Sequence, residues 1–116
     1  MRAASPDSGW ITRDYGNWDA AGGTSAAAPF WAASMLLAHE YAQKQGVSRR
    51  CFLAPVLYRL AIAHRSDFHD VTAGGNRYYD AGPGWDYATG LGSPDVWNLT
   101  RDLTAYLRSH PCPPGA

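Results

Sequence analysis

Residues 22–46 read GGTSAAAPFWAASMLLAHEYAQKQG and predict one long helix that begins directly after a glycine turn. From Ser25 to Gln45 there is no glycine, and alanine, leucine and methionine, which favour helix, dominate. Gly46 stands where a glycine commonly ends a helix. The helix is apolar nearly all round, and helices of that kind belong inside larger folds. We therefore expect this helix to be buried.

The start of this helix brings one hydroxyl, that of Ser25, to the junction between the glycine turn and the first helical turn. Glycines let the backbone turn tightly and let a substrate approach, and the unpaired N–H groups of a helix start can stabilise an oxyanion. The position therefore suits a nucleophile. The alternative is that Thr24 or Ser25 only caps the helix, which capping preferences favour for a serine before an ordinary helix.

The rest of the chain predicts two further helices with an irregular, glycine-rich segment between them. Apolar residues at helical spacing predict a helix over residues 54–66. A second is predicted over residues 93–109, with the hydroxyl of Ser93 as its N-cap. Residues 68–72 resemble a short strand, and residues 73–86 are too irregular for either periodic element, so we expect a long ordered loop there.

Composition and charge restrict the partners. The 116 residues suffice for one domain or a piece of one, and 46% of them are hydrophobic. Lys+Arg 10 against Asp+Glu 10 gives a formal net charge of +0, which supplies no basic field for nucleic acid or an anionic membrane. The longest apolar stretch, residues 26–38, is shorter than the roughly 20 residues that span a bilayer. We expect neither nucleic acid nor membrane as a partner. The core is expected to include Trp31, Met35, Leu36, Trp85 and Trp97.

Two groups of motifs resemble the sedolisins, the serine-carboxyl peptidases. The first is GTSAAAPFWA over residues 23–32, and the second is the series FHDVT, GGN, AGPGWD and ATGLGSP within residues 68–94. The resemblance covers most of residues 5–105. It implies an α/β, partial subtilisin-like fold: a mostly parallel sheet fragment with a buried central helix that starts at the nucleophile serine. Residues 1–110 would be the C-terminal portion of the peptidase domain, and residues 111–116 a flexible tail.

The activity that this resemblance implies is endopeptidase hydrolysis of proteins or peptides at acidic pH, through an acyl-enzyme on Ser25, in an extracellular setting. In the family the base is a glutamate, oriented by an aspartate four residues after it, and another aspartate contributes to the oxyanion hole; all three precede the serine. The sole glutamate here, Glu40, follows Ser25 by 15 positions, which is roughly 22 Å along a helix. Glu40 cannot be the base, and we expect no peptidase activity from these 116 residues alone.

One Ca²⁺ ion is also implied by the resemblance. Carried over residue by residue, its ligands would be the carboxylates of Asp70 and Asp86 and the carbonyls of Val71, Gly82 and Gly84. Ca²⁺ takes about six to eight oxygen ligands, and water could fill a remaining position. The alternative is that both acids are ordinary loop residues that make Asx turns.

Two other functions stay open at this level. One is a non-catalytic remnant whose only retained biochemistry is calcium binding. The other is a subtilisin-type serine peptidase, which residues 70–94 favour less and for which no histidine precedes Ser25. Apolar faces left uncovered would favour self-association. Cys51 and Cys112 could form a disulfide or be two free thiols.

Overall fold

Three helices and two small sheets make up residues 9–48 and 51–110, which are the residues that this computed structural model describes. In chain order the elements are β1 (Trp10–Asp14), β2 (Asn17–Ala21), α1 (Thr24–Lys44), α2 (Ala54–Ala63), a 3-10 turn (Arg65–Asp67), β3 (Phe68–His69), β4 (Ser93–Pro94) and α3 (Val96–Ser109). The tail predicted over residues 111–116 lies outside the described residues.

The first sheet is the antiparallel hairpin β1–β2 that leads into α1. Its two-residue turn, Tyr15–Gly16, has positive φ at both positions, 45° and 86°, and such turns match the twist of paired strands. The Trp10 ring meets the Phe30 ring edge-on, with 5.5 Å between their centroids. This contact fixes the hairpin against the first turns of α1.

The core lies where the three helices meet. Helix α3 is strongly amphipathic, and its apolar side faces both α1 and α2. The contact of α1 with this core includes small side chains, among them Ala42. The buried hydrophobic residues are Ala38, Ala42, Val47, Val56, Leu60, Phe68, Leu99, Leu103 and Leu107.

The second sheet closes the irregular segment. Strand β3 pairs antiparallel with β4, so that Phe68 lies opposite Pro94 and His69 opposite Ser93. Because Ser93 belongs to this strand, it does not cap α3. The N-cap is Asp95, whose carboxylate accepts a hydrogen bond from the Asn98 N–H at 2.9 Å. The sequence prediction of a Ser93 cap was therefore wrong by two residues.

Two expectations about burial and pairing differ from the structure. The sheets of the described residues are both antiparallel, so the mostly parallel sheet is not observed in this part of the fold. Helix α1 buries only Ser34, Ala38 and Ala42. Its apolar residues point in all directions, whereas its packing partner α3 covers one side, and this is why Leu36 is 69% exposed. Trp85 and Trp97 are also exposed, and only Trp31 and Met35 of the expected core residues pack against the core.

Candidate active site

Ser25 is the second residue of α1, and its side chain is exposed. The N-cap is Gly23, whose φ of 100° lies in the region that favours glycine, and no side chain caps the helix. The Gly23 carbonyl accepts hydrogen bonds from the N–H groups of Ala26 at 3.1 Å and Ala27 at 3.4 Å. Neither Thr24 nor Ser25 therefore serves as the cap, and the capping alternative does not explain this serine.

The backbone around Ser25 has unused hydrogen-bonding capacity. The first N–H groups of a helix have no partner inside it, which here concerns Thr24 and Ser25 in the same turn as the hydroxyl. Four residues on, Pro29 has no N–H, so the Ser25 carbonyl lacks its usual helical donor. The first turn holds no acidic side chain. Such a helix start presents donors, and a partial positive charge, to an anion that forms there.

The partners that would activate Ser25 are not found in the part of the chain that the structure describes. No side-chain hydrogen bond of Ser25 occurs there. Glu40 accepts a hydrogen bond from Lys44 Nζ at 2.6 Å, which holds the pKa of Glu40 below its ordinary value. In the hairpin, Asp19 Oδ1 accepts from the Ala20 N–H at 2.7 Å. These carboxylates are engaged in local contacts, and Glu40 lies 15 residues along the helix from Ser25, the separation for which the sequence already excluded it as the base.

Asp70 and Asp86 lie at opposite ends of the glycine-rich segment, and both contact the same short stretch of backbone. Asp70 Oδ2 accepts a hydrogen bond from the Gly84 N–H at 2.7 Å. Asp86 Oδ2 accepts one from the Gly82 N–H at 3.1 Å. The loop thus brings together the two acids that the sequence pairs.

Asp86 has the larger share of these contacts. Beyond Gly82, its carboxylate accepts from the Ala88 N–H at 2.8 Å, from the Thr89 N–H at 2.7 Å and from Thr89 Oγ1 at 2.9 Å. The hydrogen bond from Gly82, followed by those from Thr89, lowers the pKa of Asp86. The Asx-turn interpretation therefore holds for Asp86. Thr89 was given no role from the sequence, although it lies within the ATGLGSP motif, three residues after Asp86.

Several oxygen atoms of this loop could bind a hard cation. Asp70 Oδ1 and the carbonyl oxygens of Val71, Gly82 and Gly84 accept no hydrogen bond within the part of the chain described. Four unused oxygens around one loop fit a calcium ion in kind. The carboxylate of Asp86, in contrast, already accepts four hydrogen bonds, about as many as its lone pairs allow.

Residues 9–48 and 51–110 contain no group of three or more His, Cys, Asp or Glu side chains that could hold a metal ion. The loop set above, with two carboxylates and three carbonyls, is of another kind. No helix in the part of the chain that the structure describes is both long and apolar enough to cross a membrane. Cys51 is disulfide-bonded, and Cys112 lies outside the described residues.

Comparison with known proteins identifies the relatives of the chain. No family model matches it. Kumamolisin of Bacillus sp. (strain MN-32) is 43% identical over 97 residues, which are 78% of this chain and 16% of kumamolisin. Sedolisin of Pseudomonas sp. (strain 101) is 34% identical over 113 residues, 92% of this chain and 18% of sedolisin. A solved structure of Pseudomonas sedolisin, a serine-carboxyl proteinase complexed with two molecules of pseudo-iodotyrostatin, matches with a TM-score of 0.73 at 33% identity, over 92% of this chain and 28% of that one.

The fold is thus that of part of a serine-carboxyl peptidase with a subtilisin-like architecture. The chain belongs to the sedolisin family. It spans less than a fifth of the length of the two curated relatives named above.

Proposed function

We propose that this protein supplies the nucleophile of an acid-acting serine-type endopeptidase of the sedolisin class, with Ser25 as that nucleophile. The observation that carries the proposal is the placement of Ser25: exposed, second in the helix, and free of any capping role behind a glycine in a positive-φ conformation. In the reaction, Ser25 Oγ bonds to the peptide carbonyl carbon and its proton leaves with the departing amine. Water then hydrolyses the ester and restores the hydroxyl.

Helix geometry supports the oxyanion part of this proposal. The N–H groups at the start of α1 have no helical partner, and the dipole of a 21-residue helix places partial positive charge there. A protonated acid from elsewhere would complete the oxyanion hole and require acidic pH. The general base would also come from elsewhere, because Glu40 is occupied by Lys44 and lies 15 residues along the helix from Ser25. Taken alone, the 116 residues would then not cleave peptides.

The apolar surface of α1 supports the same proposal. Leu36 and Leu37 are 69% and 62% exposed, and large apolar side chains on a long helix are normally covered in a complete domain. In the complete peptidase domain, strands of a mostly parallel sheet would cover them and make α1 the central helix. In their absence, association through these faces is expected. The setting would be extracellular, and the substrates proteins or peptides.

Calcium would occupy the glycine-rich loop. Asp70 and Asp86, with the carbonyls of Val71, Gly82 and Gly84, would hold one ion. The unused oxygens of Asp70 and of the three carbonyls support this set. Asp86 would exchange one of its hydrogen bonds for the ion, and of its four donors the Gly82 N–H lies farthest away, at 3.1 Å. The ion would stabilise the native loop and take no part in the bond-breaking steps.

A chimaera tests the proposal. Residues 9–116, which include both cysteines of the sequence, would replace the matching segment of kumamolisin, to which this chain is 43% identical over 97 residues. We expect cleavage of a denatured protein at acidic pH, lost in Ser25→Ala and retained in Thr24→Ala, the neighbouring exposed hydroxyl. The 116-residue chain alone should show no Ser25-dependent cleavage. A folded chimaera whose activity survives Ser25→Ala would overturn the assignment.

The second candidate is a calcium-binding remnant without catalysis. It is favoured by the contrast between a loop with unused oxygens on Asp70 and on three carbonyls and a serine that has no activating partner among the described residues. A chimaera that folds and gains thermal stability from Ca²⁺, but cleaves nothing, would support this candidate against the first.

A further inference from the structure

Asp67 is an acidic residue for which neither the catalytic nor the calcium proposal has a use. It ends the 3-10 turn between α2 and β3, and its side chain is among the largest that are fully buried. Both of its carboxylate oxygens are buried, and neither has a hydrogen-bond donor among the described residues. An ionised carboxylate in such a place is unfavourable, because burial removes its water and nothing replaces it.

A second carboxyl group nearby can reduce the cost of burying Asp67. Asp102 of α3 lies within hydrogen-bonding reach of Asp67, and two carboxyl groups bond to each other only when one carries a proton. Asp102 is 19% exposed, and its Oδ2 lies 3.3 Å from His64 Nδ1 at the end of α2. A neutral Asp67 would donate to an ionised Asp102, and Asp102 Oδ2 would keep its contact with His64 Nδ1.

The charged groups that face Asp67 come from both helices packed against the turn. Burial, and after it the charge of Asp102, raise the pKa of Asp67 to about 6, while His64 and Arg101 act in the opposite direction. On the side of the β3–β4 sheet, His69 Nε2 lies 4.0 Å from Asp95 Oδ2, and this contact does not include Asp67. Burial and the like charge of Asp102 together therefore outweigh the effect of His64 and Arg101 on Asp67.

We infer that Asp67 and Asp102 share one proton in the folded protein, and that this pair makes the junction of the 3-10 turn with α3 an acid-stabilised element. The backbone of Asp67 links this pair of carboxyl groups to the start of α3. Its carbonyl accepts a hydrogen bond from the N–H of Asp95, the N-cap of α3, at 2.8 Å. Loss of the shared proton would weaken the attachment of the α3 start and of strand β4, which ends just before Asp95. The inference concerns stability and is independent of the proposed peptidase activity.

The sign of the pH dependence follows from linkage. The pKa of Asp67 is raised from 3.8, its ordinary value, to about 6 by folding. The stabilisation is then complete below pH 3.8 and is lost as pH rises through about 6. A pKa difference of this size between the folded and unfolded protein makes the unfolding equilibrium constant increase by about 10- to 100-fold over this window.

Urea unfolding of the protein between pH 4.5 and 7.5, with excess Ca²⁺, tests the inference. We expect the unfolding constant of the unmodified protein to rise across this range, and the rise to be about 10- to 100-fold smaller in Asp67→Asn, whose amide can donate to Asp102 at every pH. The matched control is Asp14→Asn, an exposed aspartate at the end of β1, which should keep the full rise. Because Asp67→Asn keeps the His64–Asp102 contact, the difference isolates Asp67.

A second measurement covers the case in which Asp67→Asn does not fold. In the unmodified protein, ¹³C NMR of the aspartate carboxyl carbons should show Asp67 titrating well above the other aspartates. Equal pH dependence in Asp67→Asn and the unmodified protein would overturn the inference. An Asp67 carboxyl carbon that titrates below pH 4.5 would overturn it as well.

Discussion

The start of α1 and the glycine-rich loop differ in whether their polar groups are already hydrogen-bonded. At Ser25 the helix start presents an unpaired hydroxyl and unpaired N–H groups, and no described side chain caps them. In the loop, Asp70 and Asp86 accept hydrogen bonds from the loop's own backbone and from Thr89. Under the proposed function, the first region would need groups from elsewhere to act, whereas the acids of the second region are already hydrogen-bonded within the loop. A substitution should therefore affect stability in the loop and activity at the helix start.

The largest effect on folding is expected at Gly92. Its φ is 82°, and an added Cβ would collide with the His69 carbonyl oxygen across the β3–β4 junction. Gly92→Ala should lower the free energy of unfolding by about 3 kcal/mol or more, which is a large part of the stability of a small domain. Gly82→Ala is the matched control, because a Cβ there meets nothing within 4 Å. Equal urea midpoints for the two variants would show that the loop is less constrained than its geometry indicates.

Next in size is the response of the two loop acids to calcium. Ca²⁺ should raise the Tm of the unmodified protein, and both Asp70→Ala and Asp86→Ala should remove that rise. Without metal the two variants should differ: Asp86→Ala loses four hydrogen bonds and should lower the Tm by several degrees, whereas Asp70→Ala loses one and should lower it little. If Ca²⁺ still raised the Tm of both variants, the ion would have to bind outside this loop.

Acid should destabilise the calcium-free loop. The pKa of Asp86 is lowered by the Gly82 and Thr89 hydrogen bonds, so its stabilisation is present above 3.8, the ordinary aspartate pKa, and is lost as pH falls through the lower folded value. Thermal scans between pH 2 and pH 5 should show a fall in Tm that is smaller in Asp86→Asn. Identical profiles for the two proteins would contradict the role of these hydrogen bonds.

The smallest expected effect on stability concerns two side-chain hydroxyls, that of Thr89 in the loop and that of Ser25 at the start of α1. Thr89→Val removes the Oγ1 donor to Asp86 and should cost about 1 kcal/mol. Ser25→Ala removes a hydroxyl that caps nothing and is exposed, and it should change stability by less than about 0.5 kcal/mol. Urea unfolding of both variants checks this order, and a reversed order would assign Ser25 a structural role.

Local patterns in the sequence were sufficient for the elements that depend on neighbours in the chain. The glycine before Thr24 and the glycine after Gln45 predicted the ends of α1 within a residue or two. Burial and pairing could not be read in this way, because they depend on what packs from a distance. Leu36 is apolar but exposed, since α3 covers another side of α1.

The N-cap of α3 and the buried acid show the same limit. Ser93 has good capping chemistry, yet pairing with His69 draws it into β4 and leaves the cap to Asp95. Nothing in the sequence around Asp67 indicates a buried carboxyl, because its burial and its partner come from α3, 35 residues later. Asp70 and Asp86, which lie in one loop with recognisable motifs, were found by resemblance, and the loop backbone brings them together.

The most direct test of the account is to trap the acyl-enzyme. The chimaera of residues 9–116 with kumamolisin would be mixed with an ester substrate at acidic pH, quenched in strong acid, digested and examined by mass spectrometry. The account predicts an added acyl mass on the peptide that contains Ser25, and its loss in Ser25→Ala with retention in Thr24→Ala. An active chimaera whose acyl group lies on another residue, or that turns over substrate without acylating Ser25, would contradict it.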